Sequence, residues 1–374
     1  MPPIAPANQP PVGWPGRSFG QLGPFAVALI LAVDLALCRS AAGGEPSPAR
    51  DALPHPGEPL APLPTDWVVL AELQQAAGKR AQRYETEHFV VVHTATSATA
   101  RKLAARLELV YRANVRLVGE LQLGASQPRY KLPVLLFGTY EQFLAYRRDV
   151  QGSDSRMLGF YEPATGRIVL FDLATYPPVA DLRAQLADLR GDQWTQAQEL
   201  RRRLRRNLAT LNATVVQHEA AHQIQQSFGI VGGDRAPAWL VEGLAQMFES
   251  PLAGGDSTLS WPNRLRLREL SRLHRDGGEL LTGLRRIVRS DQPRLDEVDY
   301  CLSWVLADYL YQSRRGPLGA YIRHLAGSSE QPIPTADRRL AEFEQFFGPV
   351  DAELAGALFE HARGLVRCSA SSAD

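Results

Sequence analysis

From residue 87 to residue 171 the apolar residues come in short continuous runs; beyond that they recur every three or four positions almost to the C-terminus. The first pattern is that of buried strands and the second that of amphipathic helices. Strands are expected over 87–93 and 131–137, with helices over 97–119 and 140–148. The segments 159–162 and 167–171 flank Pro163-Ala164-Thr165-Gly166 and read as a hairpin. Leu182, Leu186 and Leu189, then Leu200, Leu204, Leu208 and Leu211, keep helical spacing with a break near Gly191-Asp192, which gives two helices or one bent one. A Gly- and Pro-free amphipathic run, Val215 to Ile224, is followed by a second helical stretch, Pro237 to Glu249. Further helices are expected over 262–273, 278–289, 300–313, 318–325, 335–347 and 351–365. The fold class is therefore α+β. A β-rich N-terminal lobe with a helical insertion (65–211) precedes a central helix pair (212–250) and a helical C-terminal lobe (251–368).

The N-terminus follows another rule. Arg17 precedes the apolar run Pro24 to Val33, Asp34 interrupts it, and the small residues Ser40-Ala41-Ala42 follow. That order is a signal peptide over 1–42, cleaved near Ala42, which predicts an exported protein. An uncleaved segment retained as an anchor is the alternative, and the only membrane contact foreseen; Leu37 is too large to precede a lipidated Cys38. Residues 43–64, rich in Pro, Ala and Gly, form a linker. The 374-residue chain as a whole is ordinary in composition, 45% hydrophobic and 22% charged with a net charge of +1, so nothing points to nucleic acid as a partner. Arg201-Arg202-Arg203 and Arg205-Arg206 form a basic helix face, either solvated and paired with nearby acids or in contact with an anionic surface. Cys301 and Cys368 either form one disulfide or remain buried thiols.

The chemistry is concentrated between residues 212 and 249. His218 and His222 are four residues apart on a helix, about 40° apart on one face and roughly 6 Å along the axis, so they can share one metal ion. Zinc suits imidazole nitrogens and in catalytic sites keeps a position open for water, which Glu219 can reach as general base. Glu242, with nineteen residues between it and His222, is the natural third ligand. Glu249, seven residues after Glu242 on the same helix face, can accept a hydrogen bond from a ligating imidazole or simply lie at the surface. Gly243 weakens its helix by about 1 kcal/mol relative to Ala, which close approach of the two metal helices would compensate. His88 and His93 lie on opposite faces of their strand and read as structural.

His218-Glu219-x-x-His222 followed by Trp239-Leu240-x-Glu242-Gly243-x-Ala245 resembles the gluzincin zinc metallopeptidases, with a gap one residue longer than in their aminopeptidases. A loop such as Gly232-Gly233-Asp234 can absorb the extra residue. From Glu87-His88-Phe89 onward the chain looks most like exported bacterial proteins with a peptidase-MA-like domain, mostly of unknown function. The resemblance implies a zincin-like fold, one Zn²⁺ on His218, His222 and Glu242, and a sheet edge, here the 159–171 hairpin, that holds extended substrate. It also places Tyr300, or else Tyr309, as the donor to a developing oxyanion; the Lys-Gly that follows that Tyr in the family is absent here. The aminopeptidases' Gly-x-Met-Glu-Asn segment is missing, so a peptide or protein substrate cut internally is expected. A non-catalytic exported scaffold and a hydrolase of a non-protein amide are the alternatives. Neither the substrate nor the oligomeric state is legible.

Overall fold

The computed structural model describes residues 60–151, 157–188, 194–231, 235–250, 279–290, 295–327 and 332–371. The expected signal segment, most of the linker, the loop Gly232-Gly233-Asp234, the break near Gly191-Asp192 and the helix over 262–273 lie outside these.

Five strands form one mixed sheet: β1 (Gln82–Glu85), β2 (Phe89–His93), β3 (Leu132–Phe137), β4 (Gly159–Glu162) and β5 (Arg167–Phe171), in the order β1-β2-β3-β5-β4. The inner pairs β2/β3 and β3/β5 are parallel, and the edge strands β1 and β4 are antiparallel to their neighbours. Phe89 to Val92 and Ile168 to Phe171 are buried without alternation, as strands covered on both faces must be. Gly166, at φ +66°, takes the left-handed position that closes the β4–β5 hairpin.

Helix α1 (Trp67–Ala77) is capped by Asp66, whose carboxylate accepts the Val68 and Val69 amides. Helix α2 (Ser97–Glu120) connects β2 to β3, and α3 (Tyr140–Gln151) follows β3. Since α2 alone is as long as the five strands together, this part of the chain is mixed rather than β-rich. After α4 (Pro177–Asp188) comes α5 (Trp194–Ser227), 34 residues without interruption. The boundary expected at 211/212 does not exist, because Asn212, Ala213 and Thr214 continue the helix from the leucine-spaced half into the histidine-bearing half. Arg106 of α2 bonds Gln217, and Asn114, eight residues on, bonds Gln225, so α2 and α5 run parallel. The first turns of α5 therefore extend past the start of α2. Their basic run is solvated there, with Arg202, Arg203 and Arg206 sharing Glu199.

The helices that follow are α6 (Ala238–Gln246), α7 (Glu279–Arg289), α8 (Glu297–Ser313), α9 (Arg315–Gly327), α10 (Ala336–Phe347) and α11 (Ala352–Ser371). Trp239 of α6 lies against Tyr321 of α9 and Phe343 of α10, and α7 and α8 form a hairpin tied by Arg286 and Asp299. One cluster of buried apolar side chains runs from the sheet through α5 and α6 into these helices. Cys301 is buried in α8, and the side chain of Cys368 lies outside the described residues. Among the described residues no helix is long and apolar enough to cross a membrane.

Candidate metal centre

The four-residue spacing on α5 turns His218 and His222 to one side, and their Nε2 atoms lie 2.9 Å apart. Helix α6 brings Glu242 against them. Its Oε2 is 3.3 Å from His218 Nε2 and its Oε1 3.6 Å from His222 Nε2. All three side chains are buried, and neither oxygen of Glu242 has a hydrogen-bond partner among the described residues.

This donor set fits a zinc ion. Tetrahedral ligands about 2.05 Å from zinc are roughly 3.3 Å from one another. The two imidazole nitrogens are 2.9 Å apart and each faces a different oxygen of Glu242, at 3.3 and 3.6 Å, so one ligand atom from each residue comes close enough to share an ion. Two imidazoles and one carboxylate also leave one tetrahedral position open. An ion would satisfy the buried oxygens of Glu242, which among the described residues face only the two imidazoles at distances too long or poorly directed for a hydrogen bond.

Charge in the metal-free cluster is carried by protons. Burial works against a charged His218, but Glu242 and Glu249 outweigh it and raise the imidazole to about 10. Burial likewise works against ionised Glu242, and the two imidazoles reverse this, holding the carboxyl at about 2.

Glu249 reaches the back of the site. Helix α6 ends at Gln246, earlier than expected, and the chain then tightens, with the amides of Phe248 and Glu249 donating to the carbonyls of Ala245 and Gln246. That turn carries the Glu249 carboxylate to 3.1 Å from His218 Nδ1, where it fixes the ring so that Nε2 faces Glu242.

Glu219 sits at the junction of α5 and the sheet. The amide of Tyr161, on edge strand β4, donates to its Oε2 at 2.7 Å, while its Oε1 is buried without a partner among the described residues. Burial raises this carboxyl above the ordinary range, although the neighbouring imidazoles pull the other way. A Cβ at Gly159, two residues before Tyr161, would stand 2.6 Å from Leu170 Cδ2 on β5 and 3.0 Å from Val215 Cγ1 on α5, so the glycine leaves room for both neighbours.

Gly243 works differently from the sequence expectation. A Cβ at this position would stand 2.4 Å from the carbonyl oxygen of Ser303 and 2.8 Å from Ala307, so the close approach is to α8, not to α5. Tyr300, one turn before Ser303, is buried in α8. Tyr309 packs edge-on against His361 of α11. His88 and His93 are both held by hydrogen bonds, to Glu108 and to the Ala95 carbonyl. Glu87, His88 and Glu108 come close enough to hold an ion, but Glu87 is exposed and His88 Nδ1 is already engaged with Glu108.

Three buried glutamines on α5 went unnoticed in the sequence. Gln217 bonds the carbonyls of Phe248 and Ser250, Gln223 those of Pro133 and Gly166, and Gln225 the side chain of Asn114. The available signal was uncharged polar residues on a helix whose other positions from Val215 to Ile224 leave no solvent face.

Residues 212–333 match a family model described as "Protein of unknown function (DUF1570)". The matched span holds the three candidate ligands, Glu219, Glu249 and Tyr300. No curated protein matches the chain.

Proposed function

We propose that this chain is an exported zinc-dependent endopeptidase of the gluzincin kind, with a zincin-like fold. The observation that carries the reading is the convergence of His218, His222 and Glu242 beside a buried carboxylate, Glu219, that has one oxygen unengaged. Export is drawn from the order of basic, apolar and small residues in 1–42.

Zinc held by these three side chains supplies a Lewis acid that brings the pKa of a water toward neutrality and polarises a scissile carbonyl. Glu219 accepts the attacking water's proton on Oε1 and delivers it to the leaving amine nitrogen. Its raised pKa favours the proton-carrying form between the two transfers. The amide of Tyr161 keeps Oε2 occupied, so one oxygen anchors and the other reacts. Glu249 orients His218, and the gluzincin resemblance assigns the donor to the developing oxyanion to Tyr300, or else to Tyr309.

Among the described residues strand β4 pairs with β5 alone, and the part of its other edge not taken by the Tyr161–Glu219 bond is where an extended peptide would join by main-chain hydrogen bonds. Because Tyr161 belongs to that strand and bonds Glu219, the edge and the base are held in fixed register. Such a site suits internal peptide bonds in unstructured polypeptide.

The test is metal analysis of the purified chain together with casein hydrolysis before and after chelation. One zinc per chain, and activity lost with the metal and restored by adding it, are expected. A folded protein that binds no zinc refutes the reading. A zinc-loaded protein that cleaves nothing across a broad peptide library replaces it with the scaffold.

A further inference from the structure

We infer that Gln217 is a positioning residue that holds Glu249 on His218 by gripping the main chain on both sides of it. The inference rests on the zinc reading above.

Gln217 is completely buried on α5, immediately before His218. Its Nε2 donates to the Phe248 carbonyl at 2.7 Å and to the Ser250 carbonyl at 2.9 Å, so both amide hydrogens are used on the residues that flank Glu249. Arg106 Nη1 donates to Gln217 Oε1 at 2.9 Å, which fixes the orientation of the amide. Flipped, the amide would aim its oxygen at two carbonyls and its NH₂ at a guanidinium. Thr214 Oγ1, one turn earlier on α5, donates to the carbonyl of Glu249 itself at 3.3 Å. Three successive carbonyls, 248 to 250, are thus held by side chains of one helix.

The grip has a physical reason. Helix α6 has ended at Gln246, so residues 248 to 250 lie beyond its regular turns. Side chains of α5 hold them, and α5 is the helix that carries His218 and His222. The carboxylate behind the ligand is therefore referenced to the ligand's own helix. Without the grip, the turn from Met247 to Ser250 would have to be ordered anew each time Glu249 met His218, at an entropic cost.

The test is a double-mutant cycle on the full chain, read as zinc dissociation constant by chelator competition and as the absorption spectrum of the cobalt-substituted protein. Gln217→Glu keeps the acceptor for Arg106 and removes both donors. It should weaken zinc binding at the low end of the roughly 10- to 100-fold typical of partners behind a ligand, and shift the cobalt bands. Glu249→Ala should weaken zinc at least as much, and the double variant no more than Glu249→Ala alone. If Gln217→Glu does not fold, Gln217→Met, neutral and of similar size, takes its place in the cycle. Unchanged zinc affinity and cobalt spectrum in the folded Gln217 variant, or losses that multiply in the double variant, overturn the inference. A wild-type chain that takes up no zinc overturns the functional reading and this inference with it.

Discussion

Replacing Glu219 with Gln separates chemistry from architecture. Among the described residues the carboxylate makes one hydrogen bond, from the Tyr161 amide to Oε2, and its other oxygen is buried with no partner. Gln can keep the first contact with its amide oxygen and place its NH₂ where Oε1 stood. The ligands His218, His222 and Glu242 are untouched. Burial disfavours the ionised form of Glu219, so a neutral side chain of the same shape should fold at least as well. Thermal midpoint and zinc content should therefore match or exceed wild type. Only the capacity to take a proton is lost, which is worth roughly 10²- to 10⁴-fold in rate, about 3 to 5 kcal/mol in the barrier. The assay is initial-rate casein hydrolysis by matched, zinc-quantified preparations. Equal rates in wild type and Glu219→Gln would refute the assignment of the base, and lost zinc would show that Glu219 holds the site together instead.

His222→Ala removes one of three ligands, and should abolish stoichiometric zinc on metal analysis and the zinc-dependent rise in thermal midpoint. In the metal-free chain His218 is protonated at neutral pH, so zinc uptake at pH 7 should release about one proton, read by calorimetric titration in buffers of different protonation enthalpy. Because the folded pKa of His218 lies above its ordinary 6.5, its contribution to the metal-free fold is complete below pH 6.5 and lost as pH rises through about 10; the thermal midpoint of the chelated protein should fall across that window. Gly243→Ala gains about 1 kcal/mol of helix propensity but sets a Cβ 2.4 Å from the Ser303 carbonyl, where overpacking typically costs about 1–3 kcal/mol. Since α6 must move to relieve it, zinc affinity should drop more than stability does, by chelator competition against thermal melting.

How far the fold could be read in advance depended on what forms each element. Strands β2, β3 and β5 are buried on both faces, so their apolar runs announced them. Strand β1, Gln-Arg-Tyr-Glu, has no apolar face and exists through its pairing with β2; nothing local marks it. Helix α1 was hidden because Trp67 and Val68 remain exposed, which blurs its periodicity. At the site, the histidine spacing and Glu242 were legible because a helix fixes which residues share a face. Glu249 was placed by that rule too, yet it reaches His218 from a tightened turn beyond the helix end. Gly243 announced a close approach without naming its partner, since contact between distant helices is not written in local sequence. The grip of Gln217 on residues 248 and 250 is long-range in the same way.

Charge balance bears on the choice between the proposed enzyme and a scaffold that kept only the shape. Glu219, Glu242 and Glu249 are buried in one cluster with two imidazoles. Without metal, a proton on His218 offsets one carboxylate, and burial works against the ionised form of Glu219. The buried carboxylates outnumber that proton, and uncompensated buried charge is costly. A dication with both imidazoles neutral offsets Glu242 and Glu249 together. The third carboxylate, Glu219, is then the group left free to exchange a proton. A scaffold has no use for that third carboxylate, and would be more stable with Gln at position 219. On the enzyme reading Glu219 is kept for moving a proton although burial disfavours its charge, so Glu219→Gln, expected to raise stability while removing activity, is the experiment on which the two readings differ most.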